Sequence, residues 1–140
     1  NYPQLRRELG HRHHFATGND SEALLHLYEE EGPEMVHRLD GMFAFCICSD
    51  DGVFLARDPI GIKPLYYIAG EDGQLVFSSE LKTMEPGQGE IQEFPPGMWY
   101  RSDEGFQKYY RRSPFCKIVT ECTRLVIIGI FTDMSGNKLI

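Results

Sequence analysis

The 140-residue chain lacks the sequence marks of several common classes of protein. It has only four cysteines and no CxxC pair, which disfavours both a thiolate zinc site and a disulfide framework. The net charge is −7 and no run of Lys or Arg exceeds two residues, which argues against a general nucleic-acid binder. The longest apolar run covers only positions 125–131, far short of the roughly 20 residues that span a bilayer. The sequence therefore predicts neither nucleic acid nor membrane as a partner.

The first residues also lack the charged and then apolar order of a signal peptide, so we expect a cytoplasmic protein. The four cysteines, Cys46, Cys48, Cys116 and Cys122, are then expected to be free and mostly buried thiols. A hydrophobic fraction of 41% and a charged fraction of 25% are typical of one globular domain.

Three histidines, His11, His13 and His14, lie in one polar segment and raise the question of a metal clip. No cysteine or carboxylate pattern accompanies them at a spacing typical of metal ligands. We therefore predict no metal site.

One helix is predicted from Ser21 to Glu31, because its apolar residues recur at helical spacing. Asn19 is a good N-cap, and Glu22 three residues later completes an approximate capping box. Gly32 ends the helix, and a second short helix is predicted from position 33 to 39.

After Asp40 the pattern changes to short strands separated by turn signals, which indicates antiparallel hairpins and an α+β fold. Continuous apolar runs such as 42–47 indicate strands that are covered on both faces. The expected strands cover 42–48, 53–57, 65–69, 74–78, 98–101 and 106–110, with one helical turn at 80–84.

The segment 56–67, Ala-Arg-Asp-Pro-Ile-Gly-Ile-Lys-Pro-Leu-Tyr-Tyr, is the most informative in the chain. Two prolines and a glycine give this connection between strands a dictated shape. Arg57 and Asp58 could orient it as a surface ion pair, and we interpret Arg57, Asp58 and Lys63 as structural rather than catalytic.

The same segment closely resembles a signature of class II glutamine amidotransferase domains, above all those of glutamine-hydrolysing asparagine synthetases. Four further blocks resemble the same family in the same order, and together they extend from about residue 1 to 110. The blocks are TGNDSEALLHLYEEEG, LDGMFAF, FSSELKTM and EFPPGMWY. The resemblance implies an N-terminal-nucleophile hydrolase fold, with two stacked, mainly antiparallel sheets flanked by helices.

In that family a cysteine at position one attacks the side-chain amide of glutamine, with its own α-amine as base. The sequence printed here starts with Asn1-Tyr2, which most resembles the end of the family's NGEIYN block. We therefore expect no residue of this chain to be catalytic and the polypeptide alone to be inactive. Asp20 matches the acidic residue that binds the substrate's α-amino group, although a carboxylate that stabilises a helix N-terminus is a compatible alternative.

The resemblance ends near Arg112, so we divide the chain into a partial amidotransferase domain, 1–112, and a divergent tail, 113–140. The tail contains no glycine-rich phosphate loop, and ATP and Mg²⁺ would belong to a synthetase domain that is absent from this sequence. Its apolar run is open to two interpretations, one more strand or a segment without a place in the core. The tail itself is a divergent terminus, a read-through artefact or an uncovered strand that promotes self-association, and the sequence leaves these alternatives open.

The predicted function is thus part of a glutaminase domain, with glutamine as the substrate of the intact family member and ammonia used for ATP-dependent amidation of aspartate. Two alternatives remain open. One is a catalytically inactive module that binds an amino acid or regulates, and the other is the amidotransferase domain of a different class II enzyme.

Overall fold

The computed structural model describes residues 1–50, 52–70, 74–84, 87 and 89–110, together with the backbone of positions 126–132 and 138–139. The helices are α1 (Tyr2–Leu9) and α2 (Asp20–Glu31), and two 3-10 segments follow at Gly32–Arg38 and Leu81–Thr83. The strands are β1 (Phe43–Ser49), β2 (Gly52–Arg57), β3 (Tyr66–Ala69), β4 (Leu75–Ser78), β5 (Gln92–Glu93), β6 (Met98–Arg101), β7 (Gly105–Lys108), β8 (Val126–Thr132) and β9 (Lys138–Leu139). No described helix has the length and apolar character needed to cross a membrane.

The strands form a larger sheet in the order β7-β6-β2-β1-β8-β9 and a smaller one in the order β4-β3-β5. Every pairing is antiparallel except that of β1 with β8, which is parallel. The predicted hairpins at 42–57, 65–78 and 98–110 are present, and β1 and β2 are joined by positions 50 and 51. The α+β prediction is confirmed.

Strand β1 explains why the run at 42–47 is apolar without interruption. Because successive side chains of a strand point to opposite faces, its residues divide between two cores. Phe43, Phe45 and Ile47 pack with the helices, beside Leu27 and Met35. Ala44 and Cys46, on the other face, pack with residues of the smaller sheet. The described helices therefore cover one face of the larger sheet, and the smaller sheet covers the other.

Helix α2 begins one residue before the predicted start, and Gly32 ends it with a φ of 58°, a conformation that favours glycine. Helix α1 was not predicted. Its contribution to the core comes from Leu5 and Leu9, a single apolar pair one helical turn apart, which is too weak a pattern to identify a helix.

The two expected short helices, at 33–39 and 80–84, are 3-10 segments rather than α-helix. Of the two interpretations of the apolar run at 125–131, the structure adopts the strand, since Val126–Thr132 pairs with β1. The proposed domain boundary at 112, and with it Cys116 and Cys122, lies outside the described residues.

Candidate functional site

The first candidate site is the turn that precedes α2, which includes the predicted substrate-binding residue Asp20. The side-chain oxygen of Asn19 accepts a hydrogen bond from the Ser21 N–H at 3.4 Å, so Asn19 caps the helix as predicted. Asp20 is half-buried in the first turn of α2. Within the described residues, the Asp20 carboxylate makes no hydrogen bond and no ion pair. The carboxylate is thus held at a helix N-terminus without being used by the fold.

Glu22 holds this turn in shape. Its carboxylate accepts hydrogen bonds from the backbone N–H of Ala16 at 2.7 Å, from the N–H of Thr17 at 2.8 Å and from the Thr17 hydroxyl at 2.6 Å. The Thr17 Oγ1 in turn accepts from the Asn19 N–H at 3.2 Å. Glu22 is only 4% exposed, so these bonds satisfy a buried carboxylate. The capping-box pattern identified Glu22 but not its partners, which lie two and three positions before the cap.

Helix α1 supports the same turn from the other side. The Tyr2 hydroxyl donates to the Gly18 carbonyl at 3.1 Å and accepts from the Arg6 guanidinium at 3.0 Å. The same guanidinium lies 4.4 Å from the centre of the Phe15 ring, a cation–π contact. Both ends of the turn are therefore fixed by residues that sequence reasoning passed over.

The second concentration of charge, segment 57–64, is built around the Asp58 carboxyl, which is fully buried. It accepts four backbone N–H bonds of 2.8 to 3.1 Å, from Ile60, Gly61, Ile62 and Lys63. The backbone of Asp58 also donates to Phe43 and accepts from Gly97. One side chain thus ties the connection between the two sheets to the rest of the fold.

Arg57 is 3% exposed and completes this connection. Its guanidinium donates to the carbonyls of Lys63 at 2.7 Å, Phe94 at 2.5 Å and Gly61 at 2.9 Å, and to the Glu93 carboxylate at 2.8 Å. The expected surface ion pair of Arg57 with Asp58 is therefore wrong, because both are buried and each binds backbone groups instead. Their structural interpretation agrees with these contacts.

Gly61 sits at the closest point of this connection. Its φ is 73°, and a Cβ there would lie 2.7 Å from Pro96 Cγ and 3.2 Å from the centre of the Arg57 guanidinium. A larger residue would thus be strained twice, by its backbone conformation and by its neighbours.

Tyr109 also contacts the connection between the two sheets. Its hydroxyl donates to the Arg57 carbonyl at 2.8 Å. Burial raises the pKa of the Tyr109 phenol above its ordinary value, and the nearby Asp58 charge raises it further. Tyr109 is therefore a neutral donor that binds the backbone of Arg57.

Cys46 is unsuited to nucleophilic chemistry. Cys46 is 6% exposed in β1, and its Sγ lies 3.5 Å from that of Cys48. Burial raises the pKa of the Cys46 thiol well above its ordinary value, and Cys48 raises it further. A thiol that resists ionisation is a poor nucleophile.

The histidines of the segment 11–14 do not converge. His11 and His14 are exposed, whereas His13 packs against His26 and Glu29 of α2. His26 and Glu29 were not part of the sequence-based argument, since they lie more than ten residues further along the chain.

A helical layer, a central sheet and a second antiparallel sheet define an α+β domain. Its polar turn at the start of α2 holds the Asp20 carboxylate, which has no partner in the part of the chain that the structure describes. The model of the glutamine amidotransferase domain family matches residues 1–86, which is more than half of the chain. The chain therefore belongs to this family.

The chain is similar to curated asparagine synthetases. Asparagine synthetase B [glutamine-hydrolyzing] of Escherichia coli is 43% identical over 118 residues, which is 82% of this chain and 21% of the relative. Asparagine synthetase [glutamine-hydrolyzing] 3 of Arabidopsis thaliana is 43% identical over an alignment of 144 positions, covering 99% of this chain and 25% of the relative. A probable asparagine synthetase of Dictyostelium discoideum is 41% identical over 116 residues, which is 79% of this chain and 21% of the relative. The chain thus spans a fifth to a quarter of these relatives.

Proposed function

We propose that this chain contributes to the glutamine site of an asparagine-synthetase-like protein. In such a protein, hydrolysis of glutamine supplies ammonia for the ATP-dependent amidation of aspartate. ATP and Mg²⁺ would be bound by the part of the relatives that this chain does not match. The family membership and the relatives' names support the glutamine chemistry.

Within this proposal the Asp20 carboxylate binds the α-ammonium group of glutamine. One observation carries the assignment: Asp20 is half-buried in a turn fixed by Glu22, yet uses its charge on no described residue. A carboxylate of this kind favours a cation as its partner. The alternative role, stabilisation of the helix dipole, contributes about 0.3–1 kcal/mol and is compatible with a ligand on the same carboxylate.

Binding is tested by nuclear magnetic resonance on the ¹⁵N-labelled full chain. L-Glutamine is compared with glutaramate, which is glutamine without its α-amino group. We expect L-glutamine to shift the amides around Asp20 and glutaramate to shift them at least about ten times less, as for a lost charge-assisted hydrogen bond.

The variant Asp20→Asn should lose this discrimination, and Asp50→Asn, at an exposed position after β1, should keep it. Equal responses to the two compounds, or an unchanged response in Asp20→Asn, would contradict the proposal.

A second candidate function is binding of an amino acid without hydrolysis. It is favoured by the state of Cys46, whose burial and raised pKa leave it without nucleophilic character. We expect the 140-residue polypeptide to release no more glutamate from glutamine than a heat-denatured sample does. Release above that background would reject this candidate.

A further inference from the structure

We propose that His13, His26 and Glu29 form a site for a divalent transition metal ion, of which Zn²⁺ is the best match. One ligand atom from each of these residues lies within 4.8 Å of the other two. The inference is independent of the proposed glutamine site.

The distances suit a small ion. The Glu29 Oε2 lies 3.0 Å from the His26 Nδ1 and 3.5 Å from the His13 Nδ1. In a tetrahedral zinc site, bonds of about 2.0–2.1 Å place neighbouring ligand atoms about 3.3 Å apart. Two imidazoles and one carboxylate leave a fourth position for water, and this donor set prefers zinc and its neighbours to Mg²⁺.

The surroundings of His13 resemble the outer shell of a metal site. Its Nε2 lies 2.8 Å from the Glu30 Oε1, and the other Glu30 oxygen accepts from Arg12, also at 2.8 Å. A carboxylate on the far nitrogen fixes the tautomer of a ligating histidine and leaves the near nitrogen with its lone pair. Here that lone pair belongs to Nδ1, the atom that faces Glu29.

The cluster has a net negative charge, which one more cation would balance. Glu29 and Glu30 carry two negative charges, Arg12 carries one positive charge, and both imidazoles are neutral when they ligate. When the His13 Nε2 donates to Glu30, the lone pair of its Nδ1 faces the Glu29 carboxylate, and a metal ion between these two groups would bind both.

His26 has unused binding capacity. Among the described residues, its Nε2 is buried without a hydrogen-bond partner, and its Nδ1 contacts the Glu29 carboxylate. The His13 and His26 rings are stacked, with centroids 4.4 Å apart and planes inclined by 25°. The Nδ1 atoms of both rings already lie within 3.5 Å of the Glu29 Oε2, and Glu29 is 61% exposed, so an ion can reach this position from solvent.

The site would join two elements of the fold. His13 lies in the segment after α1, whereas His26 and Glu29 lie on α2. A bound ion would therefore fix the segment that leads into the Glu22-stabilised turn. It would raise the free energy of unfolding by mass action, in proportion to the logarithm of the free metal concentration.

The test is calorimetric titration of the full chain with Zn²⁺ near neutral pH, with Mg²⁺ as the comparison ion. We expect one Zn²⁺ per chain and no measurable Mg²⁺ binding. The variants Glu29→Gln and His26→Gln should each weaken Zn²⁺ binding at least about tenfold, and Glu30→Gln about 10- to 100-fold. Circular dichroism identifies any variant that fails to fold, and the exposed Glu29 position is the safest of the three.

The matched control is the double variant His11→Asn/His14→Asn, which leaves the three ligands intact. Unchanged affinity in this control, together with a loss in Glu29→Gln, would support the site. Loss of binding in the control with retention in Glu29→Gln would instead place the ion on the segment 11–14 and overturn the proposal. Absence of Zn²⁺ binding by the unmodified chain would also overturn it.

Discussion

Two regions of this molecule are built around a buried carboxylate that accepts hydrogen bonds from backbone N–H groups. They differ in whether a neighbouring charged side chain is left without a partner among the described residues. In the segment 57–64, the side chains of Asp58 and Arg57 form hydrogen bonds mainly with backbone groups of the protein. In the turn before α2, Glu22 does the corresponding work, while the neighbouring Asp20 has no partner among the described residues.

The difference separates architecture from ligand recognition. The segment 57–64 carries more charged residues and attracts attention first, but the charges of Arg57 and Asp58 are used internally. The turn before α2 divides the two tasks between Glu22 and Asp20. A charged residue near a candidate site is therefore better judged by the partners that it lacks than by the motif that it belongs to.

Asp58→Ala should have the largest effect on stability. It removes the acceptor of four N–H groups in a side chain with no exposed surface, and unsatisfied buried donors cost about 1–3 kcal/mol each. Because two of the isoleucines in the segment are partly exposed, water can satisfy some of these donors. We expect the free energy of unfolding to fall by about 3 kcal/mol.

The measurement is urea denaturation, with Asp50→Ala, at an exposed position, as the control. Equal midpoints for the two variants would contradict the central role of Asp58.

Glu22→Gln should have an intermediate effect. The amide keeps one acceptor oxygen but loses the second, and its NH₂ group faces N–H donors, so we expect a loss of about 1–2 kcal/mol. Hydrogen exchange should accelerate at the amides of Ala16 and Thr17 before it changes in β1. Uniform acceleration across the domain would show that the turn does not open as a local unit.

Asp20→Asn should have almost no effect on stability. Since Asp20 makes no hydrogen bond or ion pair with a described residue, only its interaction with the helix dipole is lost, about 0.5 kcal/mol or less. The discrimination of L-glutamine from glutaramate should nevertheless disappear. A loss of stability as large as that of Glu22→Gln would make Asp20 a structural residue and remove the contrast between the two regions.

Asp103→Asn should have the smallest effect on stability, and this effect should disappear in acid. The fully exposed Asp103 accepts hydrogen bonds from the Arg101 guanidinium at 2.6 and 2.9 Å, and this contact lowers the pKa of the Asp103 carboxyl below its ordinary value of 3.8. The lowered pKa stabilises the fold at pH values above 3.8, and the contribution is lost as the pH falls through the lower pKa of the folded state.

Thermal unfolding between pH 2 and pH 7 tests this, since the variant should lack the small acid-dependent step. An identical pH profile for the two proteins would show that the exposed pair contributes nothing.

Most of the central fold could be predicted from the sequence, because the patterns that indicate it are local. The runs at 42–48 and 53–57 flank a turn signal, and their alternation between two cores explains both the strands and the absence of polar residues. The cap at Asn19 and the end at Gly32 located α2 to within one residue. These features depend on neighbours in the chain.

The features that escaped prediction depend on distant neighbours. Helix α1 is stabilised by the packing of Leu5 and Leu9 in the core, and its own apolar periodicity does not indicate a helix. Arg57 finds Phe94 and Glu93, 37 and 36 positions away, and no local pattern indicates those contacts. His13 likewise meets His26 only because α2 returns past the segment after α1. Asp20 was identified through the family resemblance, and its role stays a prediction.

The parallel pairing of β1 with β8 also sets an order of events during synthesis on the ribosome. Phe43 and Val126, which are partners in that pairing, lie 83 positions apart. At about 5–20 residues per second, the ribosome needs roughly 4–17 seconds to make that interval. The β1–β2 hairpin, by contrast, can form within about 1–10 μs of its synthesis. For those seconds the nascent chain presents an open edge of β1, to which a chaperone or the strand of another chain can add. Strand β1 thus gains its neighbour β2 early in synthesis and its neighbour β8 late.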